Sequence, residues 1–322
     1  MQGTSKNRTD NQLAFRCVAL RCCVIQLGCA ADRASQTTKI SHSIILSSST
    51  GMQFVSFGAG TFAMGSPPGE PEQDKNETQH QVTITRPFYL GVYEVTQGEF
   101  THVMGFNPST VNGSDRLPVQ TVTWFDAVSF CNRLGKLDGI DTAYQITNVK
   151  MDGLHITNAD VRWTFSSAGY RLPTEAEWEF ACRAGTTTAF SFGNTVTSEQ
   201  ANFDGLTPYD GGAKGRFRNY PLEVDAFRAN AFGLYQMSGN VFEYVWDSYD
   251  QYPTNHQTDP TGPERGTLRV RRGGAYTSPA GHMRSAVRHG VPASAPLFHH
   301  GFRVARNIVP TDQPIRPTPK KP

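Results

Sequence analysis

The sequence of 322 residues lacks several features that would assign a function class directly. No apolar run approaches the roughly eighteen residues of a membrane-spanning helix, so no transmembrane segment is predicted. A formal net charge of +2 gives no electrostatic case for binding nucleic acid. Long stretches with helical periodicity are scarce, whereas 30 glycines, 20 prolines and 11% aromatic residues favour a loop-rich fold with short elements.

Cysteine is present, but its distribution does not fit a disulfide framework or a zinc site. Four of the six cysteines precede residue 30, namely Cys17, Cys22, Cys23 and Cys29. A small secreted scaffold would spread its cysteines through the fold, and these spacings match no zinc pattern. The other two, Cys131 and Cys182, lie in predicted helices, and we expect both to be small buried apolar residues.

The first 51 residues differ from the rest of the chain. Residues 15–31 are mildly apolar but are interrupted by Arg16 and Arg21, which is unfavourable for the apolar core of a signal peptide. Residues 35–51 are serine-rich and are expected to be unfolded. Residues 1–51 are therefore either a disordered leader of an exported protein or a mis-assigned start of a cytoplasmic one. Residues 52–307 form the predicted domain, and residues 308–322 a proline-rich flexible tail.

Alternation of apolar and polar residues predicts several short strands. Residues 53–57 and 60–64 are predicted to pair with each other through a turn at residues 58–60. Further strands are predicted for residues 81–84, 88–93, 143–146 and 161–165.

Three predicted helices begin with a threonine that is followed three residues later by an acid. The pairs are Thr96 and Glu99, Thr123 and Asp126, and Thr174 and Glu177. In such a capping box, the threonine oxygen accepts from the third helical N–H, while the acid accepts from the threonine N–H. Three glutamates also lie at the positive end of the last helix, where a structural role is predicted rather than catalysis. They are Glu175, Glu177 and Glu179.

Residues 233–247, with the sequence GLYQMSGNVFEYVWD, combine a turn, alternating aromatics and a set of oxygen donors. The donors are the side chains of Gln236 and Glu243 and the carbonyls of Gly239 and Val241. An all-oxygen set suits a hard cation such as calcium and does not suit zinc or copper. On spacing alone, a structural alternative stays open, in which the aromatics form core and Glu243 binds backbone amides.

Other motifs accompany this stretch in a fixed order. They are GTFAMGS at 60–66, LPVQTVTWFDA at 117–127, YRLPTEAEWEFACRAG at 170–185, LRVRRGGAY at 268–276, MRSAVR at 283–288 and GFRV at 301–304. The ordered set resembles the formylglycine-generating enzyme family, also called sulfatase-modifying factors, over nearly the whole chain. The resemblance implies an α+β fold: a single loop-rich domain with a C-type-lectin-like core, short strands and a few capped helices.

The resemblance also implies two calcium sites. The second family site maps onto Gln236, Gly239, Val241 and Glu243, although the family prefers Asn or Asp where Gln236 stands. The first site maps onto Asn202, the Phe203 carbonyl and an acid in the following loop. Here that loop reads KGRFR at 214–218, with cations in place of the acid. We therefore expect calcium as a cofactor at the second site and a degraded first site.

Copper is not expected, although the family oxidase resembles a copper thiolate enzyme. Its two cysteines, five residues apart, map onto Ser278 and Met283, and no cysteine follows Cys182. Soft thiolates suit Cu(I), so a hydroxyl and a thioether do not replace them. Four histidines in the same segment are either ligands of another metal or ordinary hydrogen-bonded residues. They are His282, His289, His299 and His300.

Two functions of different class follow. The first is a calcium-stabilised binding or accessory module without turnover. It would hold a peptide, a protein or a small molecule in a loop-lined groove at Gly274, Ala275, Tyr276 and Ser278. The alternative is a formylglycine-generating oxidase acting on a sulfatase cysteine, or another oxidase of this superfamily with a non-thiolate metal centre. The missing cysteine pair favours the first.

Overall fold

The structure is a computed structural model that describes residues 43–309. The expected leader up to residue 42, and the expected tail from residue 310, lie outside these described residues. The strands are β1 (Ile44–Leu46), β2 (Gln53–Phe57), β3 (Gly60–Met64), β4 (His80–Ile84), β5 (Phe88–Gly91), β6 (Tyr144–Asp152), β7 (His155–Trp163), β8 (Tyr170–Arg171), β9 (Phe242–Ser248), β10 (Gln257–Thr258), β11 (Leu268–Arg272), β12 (His289–Pro292), β13 (His300–Phe302) and β14 (Ala305–Asn307). The helices are α1 (Gln97–Met104), α2 (Trp124–Leu137) and α3 (Glu175–Arg183), with short 3-10 helices at Lys75–Glu77 and Ala280–Met283.

The strands form four small sheets. The largest has the order β1-β2-β5-β14-β8 and is antiparallel throughout. A second sheet has the order β12-β11-β9-β13, in which only β9 and β13 run parallel. The third has the order β10-β4-β3, and β6 and β7 form a separate hairpin. The fold is therefore the predicted α+β, loop-rich arrangement of short elements.

All three predicted helix starts are confirmed. Thr96, Thr123 and Thr174 each occupy the N-cap with extended backbone, and each capping box is complete. In α3 the acids carry further structural contacts. Glu177 pairs with Arg171 at 2.6 Å, and Glu179 pairs with Arg183 at 2.8 Å. Glu177 thus takes part in the helix cap and in an ion pair, and Glu179 takes part in an ion pair, which agrees with the structural role predicted for these glutamates.

Two large groups of buried side chains fill the space around the main sheet. One is built on α2 and contains Trp124, Phe130, Tyr244 and Phe302. The other is built on α3 and contains Trp178, Phe57 and Phe88. Cys131 belongs to the first and Cys182 to the second, both as free, buried thiols, which confirms their prediction as small apolar residues. Among the described residues, no helix has both the length and the apolar content needed to cross a membrane.

The β2 and β3 strands have the predicted bounds, but the predicted pairing between them is wrong. Both edges of β2 are occupied by β1 and β5, whereas β3 pairs with β4 in another sheet. The residues between β2 and β3 therefore connect two sheets instead of closing a hairpin. The partner of each strand is set by contacts that lie far away in the sequence, which a local turn signal does not contain.

Residues just before position 52 are structured, which differs from the expectation of an unfolded segment. Strand β1 pairs with β2 in antiparallel register, from Ile44 opposite Val55 to Leu46 opposite Gln53. The turn that follows contacts Asp138, whose carboxylate accepts from the Ser48 hydroxyl at 3.0 Å and the Ser49 N–H at 2.8 Å. Polar serines in this segment thus serve as turn and hydrogen-bonding residues.

Candidate functional site

The turn after β11 carries the residues that the resemblance assigns to the family's reactive centre. Gly273 and Gly274 both have positive φ, at 89° and 75°. A Cβ on Gly274 would lie 2.8 Å from the Met283 Cγ, so only glycine lets the chain pass over that side chain. The Tyr276 N–H then donates to the Asn240 carbonyl at 2.8 Å, which ties the turn to the stretch before β9.

Neither Ser278 nor Met283 is free to act at this turn. The Ser278 hydroxyl accepts from the Ala275 N–H at 3.0 Å, while the Ser278 N–H donates to the Ala275 carbonyl at 2.9 Å. Met283 is fully buried and belongs to an apolar cluster with Phe190, Phe203 and Tyr209. Ser278 therefore stabilises the turn through hydrogen bonds, and Met283 is part of the hydrophobic core.

The four residues predicted to line a groove lie together in this turn, but all of them are buried. Tyr276 is 3% exposed and Ser278 is 6% exposed, and Gly274 and Ala275 are buried beside them. The accessible surface next to them is formed by His282 and by Phe298, which is 47% exposed. The rings of Tyr276 and Phe298 have centroids 6.4 Å apart. Any ligand at this turn would touch Phe298 and His282 before it reached the predicted groove residues.

Three of the four histidines surround the Phe242 ring, with ring centroids 5.8 Å away for His289, 5.5 Å for His299 and 5.9 Å for His300. The Arg271 guanidinium lies over the Phe242 ring at 4.0 Å and contacts the His299 Nε2 at 3.3 Å and the His300 Nε2. Burial, and then the nearby positive charge of Arg271, lower the pKa of both His289 and His299 to about 4. Both imidazoles are therefore neutral at pH 7.

The four histidines do not converge on a metal position. His300 is buried and contacts the Tyr244 hydroxyl at 3.0 Å, whereas His282 is exposed. Within residues 43–309, no three His, Cys, Asp or Glu side chains are grouped so as to hold a metal ion. His289 Nε2 and His299 Nδ1 are buried and accept or donate no hydrogen bond within that range.

The predicted second calcium site has its carboxylate already engaged. Arg303 Nε and Nη2 each donate to a Glu243 oxygen at 2.6 Å, and the Trp178 indole N–H donates to Oε2 at 2.7 Å. Gln236, with φ of 54°, donates its side-chain N–H to the Glu223 carbonyl at 3.3 Å. Because Arg303 neutralises the one formal charge of the set, these residues do not fit a calcium ion at Glu243.

The predicted first site offers one open oxygen. Asn202 is fully buried, and its side-chain N–H groups donate to the Tyr220 carbonyl and the Asn240 Oδ1. Its Oδ1 accepts no hydrogen bond from the described residues. The Asn202 backbone lies against Gly239, because a Cβ on Gly239 would stand 2.3 Å from the Asn202 carbonyl oxygen. The residues Asn202, Gly239 and Val241 therefore belong to one buried polar region, to which Phe203 adds an apolar side chain.

The sequence did not reveal two residues that organise this region. Glu94 is fully buried, accepts from Asn240 Nδ2 at 2.9 Å and from the Val241 N–H at 3.3 Å, and has a pKa raised by burial and by Glu243. Arg303 was noted in the sequence only as part of the GFRV motif at 301–304, and its pairing with Glu243 was not predicted. Glu94 had no local signal, because its partners lie far along the chain.

Comparison with known proteins agrees with the fold and the motifs. Residues 46–308 match the family described as "Sulfatase-modifying factor enzyme 1-like domain". The chain is 34% identical over 248 residues to the chaperone protein LppX of Paenibacillus barcinonensis, covering 73% of this chain and 83% of that protein. It is 28% identical over 281 residues to the formylglycine-generating enzyme of Bos taurus, covering 79% of this chain and 74% of that enzyme. The solved structure of Treponema denticola variable protein 1 matches with a TM-score of 0.72 and 28% identity, over 83% of this chain and 99% of that chain. The chain therefore belongs to the sulfatase-modifying factor family, which includes the formylglycine-generating enzymes.

Proposed function

We propose that this chain is a binding or accessory module of its family and that it has lost the copper oxidase activity. One observation carries the proposal: at the two positions that the resemblance assigns to the copper ligands, both side chains are engaged in the structure of the protein. The Ser278 hydroxyl accepts from the Ala275 N–H, and Met283 is fully buried in an apolar cluster. A copper ion would find no thiolate at either of these two positions.

The chemistry of Cu(I) supports the loss of activity. Cu(I) prefers soft thiolate and thioether ligands, and a serine hydroxyl does not ionise near neutral pH. The remaining described cysteines do not compensate. Cys182 is buried, and burial raises the pKa of its thiol to about 11, while its Sγ lies 3.6 Å from the Ser285 hydroxyl. The thiol is therefore protonated at pH 7 and offers no preformed thiolate to a copper ion.

The proposed ligand is an extended peptide segment of a client protein. Two observations support it: a relative with 34% identity is named a chaperone protein, and the exposed Phe298 and His282 flank the turn. Phe298 offers an apolar face for a side chain of the peptide, with Tyr276 beneath it. Binding without chemical conversion is the expected activity.

Calcium belongs to this proposal at Asn202. Its Oδ1 is a buried oxygen without a partner among the described residues, and neutral oxygens are suitable but weak calcium ligands. Millimolar calcium should raise the melting temperature by mass action, and Asn202→Ala should abolish that shift by removing the open oxygen. Glu243→Gln should leave the calcium-dependent shift unchanged. If calcium and chelator leave every melting temperature the same, calcium has no part in this protein.

The first experiment tests the oxidase alternative. The protein is incubated with a cysteine-containing peptide of the sulfatase type, copper and oxygen, and the peptide mass is followed. We expect an unchanged peptide, while the formylglycine-generating enzyme of Bos taurus serves as the positive control. Multiple turnovers to the aldehyde would establish the oxidase function instead.

A second experiment measures binding to the same peptide by fluorescence anisotropy. Phe298→Ala should weaken binding, because it removes the exposed aromatic beside the turn. Leu154→Ala is a matched control: Leu154 is also an exposed apolar residue, at 55%, but lies between β6 and β7. Equal affinity of the two variants, or no binding by the wild type, would reject this surface as the binding site.

Restoring the thiolates tests the assignment of the two positions. The double variant Ser278→Cys, Met283→Cys should gain copper binding, whereas each single variant should not. Loss of the buried Met283 side chain also removes packing, so the melting temperature of each variant is measured first. Copper binding by a single variant would show that the two positions do not form a ligand pair.

A further inference from the structure

A cleft of about 360 Å³ is lined by residues of β7, of the segment that leads into β11 and of the segment that follows β12. Phe125, in the first turn of α2, forms another part of its wall. On the β7 side, Thr157, Ala159 and Val161 alternate with exposed residues, so their side chains share the face that is turned towards the domain. No residue of the turn around Tyr276 belongs to this lining.

Arg269 of β11 is the one ionisable residue of this lining. Its Cζ lies 3.8 Å from the centroid of the Trp124 ring, and its Nη1 donates to the Trp246 carbonyl at 3.0 Å. The stacking contact and this hydrogen bond fix the plane of the guanidinium. Nε and Nη2 donate no hydrogen bond to any described residue, and Arg269 is only partly buried. The edge of the guanidinium that these two nitrogens form is therefore available to a ligand in the cleft.

Arg269 also lacks an acidic partner, which distinguishes it from six buried arginines of the same fold. Each of those six forms an ion pair with a glutamate: Arg171, Arg183, Arg272, Arg284, Arg288 and Arg303. Asp247 is the acid whose charge acts most on Arg269, but it makes no ion pair with it and accepts instead from the Glu175 N–H at 2.7 Å. Burial lowers the pKa of Arg269 to about 10, so the side chain is still a cation at pH 7. A partly desolvated cation without a counter-charge favours the binding of an anion.

We propose that this cleft binds a carboxylate group, which pairs with the Nε and Nη2 edge of Arg269. Two parallel N–H donors on one edge match the two oxygens of a carboxylate. The lining has one positive charge and no acid, so the second charge of a phosphate or sulfate would find no partner there. Phe125 and Val161 suit the alkyl chain that carries the carboxylate. The group comes either from a free carboxylic acid or from a glutamate side chain of another polypeptide.

The test is isothermal titration calorimetry with the full chain at pH 7 in Tris chloride. The probes are butyrate for a free acid and Nα-acetyl-glutamate methylamide for a glutamate side chain. Their neutral counterparts, butyramide and Nα-acetyl-glutamine methylamide, keep the shape and remove the charge. We expect saturable binding of both carboxylates and none of the two amides. Tighter binding of the glutamate probe than of butyrate identifies a polypeptide as the source, and the reverse order identifies a free acid.

Three variants separate binding from folding. Arg269→Lys keeps the charge but loses the two-donor edge, and it should weaken the binding of both carboxylates by about tenfold. Ala159→Phe leaves Arg269 in place and fills the cleft from the β7 side, so it should weaken binding at least as much. Arg162→Gln is the matched control: Arg162 is an exposed arginine on the opposite face of β7, and its loss should leave the affinity within about twofold of the wild type.

The melting temperature of each variant is measured first, and if Arg269→Lys does not fold, the Ala159→Phe protein decides the question. Unchanged affinity in either folded variant would overturn the proposal, as would equal binding of the neutral amides or no binding of any carboxylate. Sodium sulfate is titrated as a further probe. Binding of sulfate as tight as that of the carboxylates would show a general anion site and reject the assignment to a carboxylate.

Discussion

Arg303 and Glu243 form a fully buried ion pair in which two contacts of 2.6 Å join the guanidinium to both carboxylate oxygens. The same guanidinium donates to the carbonyls of Gly91 and Tyr235 at 2.9 Å. One side chain therefore connects β5, β9 and the segment before β9, around the position where the resemblance implied a calcium ion. The Arg303 guanidinium thus supplies a positive charge in the region where the resemblance implied a bound calcium ion.

The first prediction concerns this pair. Arg303→Met should lower the free energy of unfolding by about 3–5 kcal/mol, because it leaves the Glu243 carboxylate buried without its partner. The double variant Arg303→Met, Glu243→Met should recover part of this loss, since the Glu243 charge is removed together with its partner. Denaturant unfolding of the two single variants and the double variant measures the coupling. Additive effects of the two substitutions would argue against a functional pair.

The second prediction compares two glycines that both have positive φ. Gly233, at 82°, has open space where a Cβ would stand, whereas a Cβ on Gly239, at 88°, would lie 2.3 Å from the Asn202 carbonyl oxygen. Gly233→Ala should cost about 1–2 kcal/mol from backbone strain alone. Gly239→Ala should cost clearly more, since it also forces apart the Asn202 and Gly239 segments. Equal losses in chemical denaturation would mean that this close approach is not maintained in solution.

Asp126 is the subject of the third prediction, with Glu99 as its matched control. Both acids close a capping box, but Asp126 also accepts from the His155 Nδ1 at 2.8 Å and the Ile156 N–H at 2.9 Å. Glu99→Ala should cost about 1 kcal/mol, as loss of a cap usually does. Asp126→Ala should cost about 3 kcal/mol, because a buried N–H of β7 also loses its acceptor. A comparable loss in both variants would limit the role of Asp126 to the cap.

A fourth prediction links the segment before residue 52 to pH. Burial raises the pKa of Asp138, but hydrogen bonds from Ser49, Tyr170 and Ser47 outweigh it and lower the pKa to about 2. A carboxylate with a lowered pKa stabilises the fold above its unfolded value of about 3.9, and this contribution is lost as the pH falls towards 2. A chain starting at residue 43 should therefore melt at a higher temperature than one starting at residue 52 at pH 6. The difference should shrink below pH 4, and a difference that does not change with pH would exclude Asp138 as its source.

The accuracy of the sequence-based expectations follows the range of the interactions involved. Thr123 and Asp126 are three residues apart, so their capping box depends only on local geometry, and it was predicted correctly. The partner of β2 depends on β5, and the partner of Glu243 is Arg303, so neither is encoded in a local pattern. The burial of the GGAY turn was not predictable from the sequence either. The turn has the composition of an exposed loop, yet Ala275 and Tyr276 are buried.

The position of β14 has a consequence for biosynthesis. This strand lies between β5 and β8, and β13 lies beside β9, so residues 300–307 supply the last-synthesised strand of each of two sheets. Until that segment leaves the ribosome, β5 and β9 each lack a neighbour and expose unpaired backbone groups. Non-local pairing of this kind slows folding and prolongs the time during which a nascent chain can aggregate. Cells making this protein should thus depend on ribosome-associated chaperones to protect the unfinished sheets during translation.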